Sequence, residues 1–378
     1  MIHVNRRALL GGAAGGLLGF CGLRAAEVRG HAGPLFVGCR ADGRDRHHVT
    51  GFDEVGRAHF SLPLSERGHA MAFHPTRPHM VVFARRPGRF AVVIDVDEGV
   101  ALHRIDAAPG RHFYGHGTFS PDGRILFATE NDYESGQGVI GLYDAHDDYH
   151  RIEEYPSHGI GPHELILMPD GRTLAIANGG IRTHPDHGRA KLNLDSMSPA
   201  LVFADIGNGR HLDQAVLPDT QHQLSIRHLA LLNDGLVAIA MQYEGPKTDR
   251  VPLVGIHDGS GIQMLRAPDD VQRQMRHYGG SVAVDRAGEL IAVSAPRGNL
   301  VTFWDGRERR YLTSTALTDG CGVAPTDQPG EFLLTGGAGD VRLARPLDNE
   351  IDMIEIKDLA AARWDNHVRL APQGQELR

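Results

Sequence analysis

His163-Glu-Leu-Ile-Leu-Met-Pro-Asp-Gly171 decides the fold, because its pattern returns along the chain. A histidine is followed by four or five mostly apolar residues, a Pro- or Asn-centred turn and a second apolar run. The pattern recurs as His69-Ala-Met-Ala-Phe-His-Pro75, His116-Gly-Thr-Phe-Ser-Pro-Asp-Gly123 and His228-Leu-Ala-Leu-Leu-Asn-Asp-Gly235. The first three of these histidines stand 47 residues apart. A period of that size, built from short strands and tight turns, marks a β-propeller in which each repeat is one radial blade.

Each blade should supply four antiparallel strands of alternating apolar residues. The first blade starts at His69 and continues through Met80–Ala84, Phe90–Asp95 and Ala101–Ile105. Later blades open at His116, His163, His228, Ser281 and near Cys321. Both ends remain. Trp364-Asp-Asn-His367-Val-Arg-Leu-Ala-Pro372 reads as an innermost strand, and Leu35–Cys39, His48–Asp53 and Ala58–Leu62 supply three more. The expectation is an all-β, seven-bladed β-propeller whose last blade is closed by N- and C-terminal strands, leaving no open edge.

Asn5-Arg6-Arg7-Ala8-Leu9-Leu10 has the form of a twin-arginine export signal, followed by a short, glycine-rich apolar stretch. That stretch is too short and too weakly apolar to span a membrane. Residues 1–26 are therefore expected to be a leader, and 27–378 a single propeller domain in the periplasm with no membrane span. Removing 1–26 takes away Arg6, Arg7 and Arg24 and no acid, so the formal charge moves from −8 to −11. Such an acidic chain is a poor partner for nucleic acid, which needs a basic face. Cys39 and Cys321 remain; the periplasm permits a disulfide between them, and buried free thiols are the alternative. No CxxC zinc pair and no heme-attachment motif occurs.

In a propeller the innermost strand leaves one face, and the loop from the second strand to the third returns to that face. The histidines that begin the inner strands therefore share a face with those loops. The loops are polar: Glu130-Asn-Asp-Tyr-Glu134 in the second blade, a long insertion from Asn178 to Ser198 in the third, and Pro296-Arg-Gly-Asn299 in the fifth. Loops of that length in a compact fold are usually functional or mobile. Neutral imidazoles converging from several blades, with a carboxylate, suit iron, copper or zinc. The candidate metal ligands are His69, His116, His163, Glu164, His228 and His367. Glu164 or Glu130 is a candidate for charge compensation, and Arg227 and Arg297 for contacts to an anion or partner.

Position argues against a full ring. His116, His228 and His367 lie five residues before their turns, whereas His69 and His163 lie six before. One residue of offset reverses side-chain direction along a regular strand, so a subset is expected to converge. Structural histidines that only hydrogen-bond neighbouring loops are the competing reading. His184-Pro-Asp-His187 has metal-like spacing but sits in a loop. No nucleophile elbow, P-loop or dinucleotide fingerprint occurs in its required context. The functional alternatives are a metal- or ligand-binding accessory protein, a metal-dependent enzyme (lactonase-like hydrolase or oxidoreductase), and an interaction scaffold.

Several strings carry a resemblance: Gly161-Pro-His-Glu-Leu165, Ala177-Asn-Gly-Gly180, Lys191-Leu-Asn-Leu-Asp195, Leu224-Ser-Ile-Arg-His228, Ser281-Val-Ala-Val-Asp285 and Trp364-Asp-Asn-His367. The chain resembles, over essentially all of its length after the leader, a bacterial twin-arginine-exported family catalogued as domain of unknown function 1513. The resemblance implies a propeller-like fold, periplasmic location and no settled activity. It also implies iron-related surroundings, with imelysin-like and di-heme peroxidase-like periplasmic proteins as partners. It supplies no catalytic residues.

Overall fold

Seven four-stranded antiparallel sheets form from these repeats, each one blade. The structure, a computed structural model, describes residues 33–347, 350–356 and 362–372; the leader reading at 1–26 lies outside them. Numbered in chain order, blades one to six have innermost strands Gly68–Phe73, Arg111–Phe119, Pro162–Leu167, Leu224–Leu231, Ser281–Val284 and Gly320–Pro325. Blade seven is made by both ends of the chain. Its innermost strand is Arg363–Leu370, paired with Leu35–Ala41, then His47–Asp53, then Ala58–Pro63. Val37 lies opposite Arg369 in this seam, so closure of the ring is a set of backbone hydrogen bonds between the two termini.

Burial follows the radial order of the strands. Second strands such as Thr173–Asn178 and Val237–Tyr243 are buried along almost their whole length. Neighbouring blades cover both of their faces, which is why these strands read as continuous apolar runs rather than clean alternation. Outer strands such as Val100–Asp106 face water on most positions. Aromatic rings join adjacent blades, with Phe83 of blade one 5.6 Å from Phe113 of blade two and Phe303 of blade five 5.8 Å from Phe332 of blade six. Among the described residues no helix is long and apolar enough to cross a membrane.

The glycine turns, three Asp-Gly and one Ala-Gly, repeat as structure too. Gly123, Gly171, Gly235 and Gly288 all take positive φ, between 65° and 73°, and each donates its N–H back three residues, to Ser120, Met168, Leu232 and Asp285. Glycine reaches that conformation without the Cβ clash that other residues meet. A short helix, Asp269–Gln274, and the outer strand Ile262–Leu265 were not foreseen from the pattern. Cys39 and Cys321 are free and buried.

His74, at the opposite end of blade one's inner strand from His69, caps its turn. Its Nδ1 accepts the backbone N–H groups of Thr76 and Arg77 at 3.1 and 3.0 Å, which requires the neutral ring. Burial, and then Arg77, pushes its pKa down to about 4 from the ordinary 6.5. Between those values the unfolded chain binds a proton there that the folded chain does not, so stability falls as pH drops through the window. Replacing His74 with Asn, whose side-chain oxygen can accept, should flatten the fall of the urea midpoint between pH 6.5 and 4. A slope identical to wild type would refute this role.

Candidate metal centre

Each histidine sits where its inner strand departs from regular pairing. In blade one the register jumps between Gly68 and Met71, across His69; in blade two between Phe113 and Gly117, across His116. Blade three shifts between Pro162 and Glu164, across His163, and blade four between Ile226 and His228. In blade seven, Gly38 faces Val368 while Arg40 faces Trp364, so the seam skips His367. A bulge inserts a residue and re-aims the side chain beside it. The expected conflict between five- and six-residue offsets therefore disappears for the rings, while the ligand atoms still converge in threes rather than as a full ring. All five rings share the axis.

His367 is the hub. Its ring centroid lies 4.5 Å from that of His69, 4.8 Å from that of His116 and 4.8 Å from that of His228. His163 lies 4.6 Å from His228 and 5.0 Å from His116. Two triads have ligand atoms mutually within 4.8 Å: His69, His116 and His367, and His116, His163 and His228. His116 belongs to both. Blade five offers only a hydroxyl at this level, Ser281 Oγ, 3.3 Å from His367 Nδ1. Backbone room is also built in: a Cβ on Gly115, which has φ +106°, would fall 2.6 Å from His69 Cδ2.

Two buried carboxylates orient the rings. Glu164 accepts from His228 Nδ1 at 3.0 Å, from the Leu229 N–H at 3.3 Å and from the Arg369 guanidinium at 2.8 Å. Asp365 accepts from His69 Nδ1 at 3.2 Å, from Arg85 at 3.3 Å and from Arg67. An ionised carboxylate only accepts, so Nδ1 carries the proton in His69 and His228 and Nε2 keeps its lone pair. Metal-binding histidines are held in the same way. Sequence reasoning named Glu164 as a ligand; here it acts as an orienting group, with its Oε2 3.8 Å from His116 Nε2. It missed Asp365, although Asp365 stands two residues before His367 in a string already singled out.

Only some of the ring nitrogens are paired within the protein. His116 Nε2 and His367 Nε2 are 3.2 Å apart, while His116 Nδ1, His163 Nδ1 and His228 Nε2 are buried with no protein partner. Each unmatched buried polar atom costs about 1–3 kcal/mol. Burial is the first cause holding the five imidazoles below their ordinary pKa, to about 4 for His69. Their mutual proximity and the nearby arginines add to it for His163 and His367. The rings are thus neutral at pH 7, the form that ligates metal. Burial alone would raise Glu164, but His116, His228 and Arg369 outweigh it and keep it ionised.

A cavity of about 460 Å³ reaches the cluster through His69 and His163. Arg227 and Arg297 line it, as does Arg189 from the third-blade insertion. Arg85 and Arg86 also line it; applying the second-to-third-strand rule to blade one would have found them. Glu130 is not there. It lies buried in blade two, accepting from Tyr143 at 2.5 Å and Arg151 at 2.9 Å, because its strand turns that side chain toward the outer strands of its own blade. His184 and His187 pair with each other at 5.8 Å between ring centroids and belong to neither triad.

A family model described as "Protein of unknown function (DUF1513)" matches residues 62–371. The chain belongs to this family. No curated protein matches the DUF1513 chain. Among solved structures, it is similar to Kuenenia stuttgartiensis hydrazine synthase at TM-score 0.58 and 15% identity, covering 82% of this chain and 90% of that one. A chain titled "Crystal Structure of Mitotic Checkpoint Complex" has TM-score 0.55 and 13% identity over 76% of this chain and 79% of that one. A functionally unknown protein from Desulfotomaculum acetoxidans DSM 771 has TM-score 0.57 and 10% identity, covering 89% and 98%. At these identities the likeness shows the propeller fold alone.

Glu164→Ala in this DUF1513 protein removes the acceptor shared by His228, Leu229 and Arg369. The expected loss is on the order of 2 kcal/mol or more, read as a lower urea midpoint. An unchanged midpoint would mean the carboxylate orients nothing.

Proposed function

We propose that this protein is a metal-binding propeller whose axial imidazoles hold a transition metal, iron, copper or zinc. The observation that carries this reading is the inward face of the cluster. Two imidazole nitrogens stand 3.2 Å apart, and three further buried ring nitrogens have no protein partner. That contact is a hydrogen bond when one ring carries its Nε2 proton, and the same two nitrogens become a chelating pair when a metal replaces that proton. For metal–nitrogen bonds of ~2.1 Å, cis ligands are separated by ~3.0 Å in octahedral and ~3.4 Å in tetrahedral geometry. The observed spacing falls between these. Neutral imidazole donors with carboxylates behind them suit these three metals; neither thiol belongs to the triads.

In this reading the protein serves metal handling as an accessory protein in the periplasm, alongside imelysin-like or di-heme peroxidase-like partners. The family resemblance and the leader-like N-terminus support that setting. One observation favours a second reading, a metal-dependent hydrolase or oxidoreductase. His163 borders the cavity, so a metal it holds would have an open position toward a bound molecule, as catalytic metal sites require.

Elemental analysis of untagged protein, after loading with each of the three metals and desalting, tests the proposal. Wild type should retain about one ion per chain for at least one metal. His116→Ala, which breaks both triads, should lose at least tenfold in affinity and more than His163→Ala. Equal retention by wild type and a His116/His228/His367 triple alanine variant would overturn it.

A further inference from the structure

We propose that the axial cavity is a binding site for a small organic polyanion carrying two or more carboxylate or phosphate groups. The argument starts from charge. The whole chain is acidic, at −8, yet six arginines and a lysine line this one cavity, with Asp319 as its lining carboxylate. Some of that charge is answered locally: Asp365 takes Arg67 and Arg85, and Glu244 takes Lys191. Arg86, Arg189, Arg227 and Arg297 make no ion pair with a carboxylate among the described residues, and Glu244 acts on Arg227 only from a longer range. They come from blades one, three, four and five, so the unpaired charge surrounds the cavity.

Arg189 and Arg297 reach solvent, whereas Arg86 and Arg227 are partly buried and depend more on a partner. Arg227 has a buried Nε with no protein partner, and a guanidinium can only donate. Burial and the neighbouring guanidinium groups of Arg227, Arg189 and Arg85 pull Arg86 below the usual arginine range, which registers the crowding of like charge. Arg297 is braced over the Tyr278 ring at 4.4 Å, which fixes its direction. Planar forks aimed into one space from several blades are the geometry that binds carboxylate or phosphate in paired hydrogen bonds. At about 460 Å³ the cavity falls in the range of small-molecule sites. Tyr114, Gln242 and Asn366 in its wall can bind hydroxyl or further oxygen atoms. Four unpaired cations set the preference for several negative charges on one molecule, and the negative exterior confines attraction to this mouth.

This inference stands on the arginines and not on the metal reading, so it is tested on metal-free protein. Isothermal titration calorimetry at fixed ionic strength compares citrate, pyrophosphate and acetate, after chelator treatment and removal of the chelator. Citrate or pyrophosphate should bind at least tenfold more tightly than acetate. Which of the two binds better distinguishes a carboxylate from a phosphate ligand. Arg86→Gln with Arg297→Gln should weaken that binding at least tenfold. If the pair does not fold, Arg297→Gln alone, at an exposed position, should weaken it at least threefold. Polyanion affinity equal to that of acetate, or unchanged in a folded variant, would overturn the proposal. So would binding seen only after metal loading and abolished by His116→Ala, since the anion would then be a ligand of the metal.

Discussion

Every feature of the axis depends on the bulges of the inner strands. A propeller brings seven strand starts to one centre, but a regular strand would point alternate residues into opposite blade faces. Register shifts at His69, His116, His163 and the residue before His228, with the skipped pairing at His367, turn five imidazoles inward instead. Glu164 and Asp365 then fix which nitrogen of His228 and His69 keeps a lone pair. The terminal seam matters equally, because His367 reaches the axis only once Arg363–Leu370 has paired with Leu35–Ala41. The strand that closes the ring is thus the strand that carries His367 to the centre.

Two kinds of chemistry share that axis. The cluster is neutral, since burial holds its imidazoles unprotonated at pH 7. The wall beside it carries guanidinium groups in excess of their carboxylates. A bare cation approaching past those arginines meets like charge, whereas an anion, or a cation already carrying anionic ligands, does not. In the proposed reading the mouth and the centre are complementary: anion charge at the wall would offset what a metal would add at the axis.

Much of this was legible in the sequence, for physical reasons that also explain the failures. The 47-residue spacing of His69, His116 and His163 and the Asp-Gly turns gave seven blades, because turn chemistry is local and survives without tertiary context. The closing seam followed from leftover strands at both ends. Side-chain direction was not local in the same sense. The offset of His69 and His163 suggested that they point away, since a bulge leaves no signature in a single sequence. Glu130 was read as top-face chemistry from its loop position, yet it lies inside the blade, bound to Tyr143 and Arg151. Arg85 and Arg86 were overlooked, although the rule that located Arg297 applies to them unchanged and their loop is no shorter.

X-ray absorption on the metal-loaded protein tests convergence of the imidazoles most directly. With zinc bound, the account predicts nitrogen and oxygen neighbours at ~2.0–2.1 Å, with outer scattering from at least three imidazole rings. A spectrum without imidazole scattering, or one with sulfur at ~2.3 Å, would contradict it.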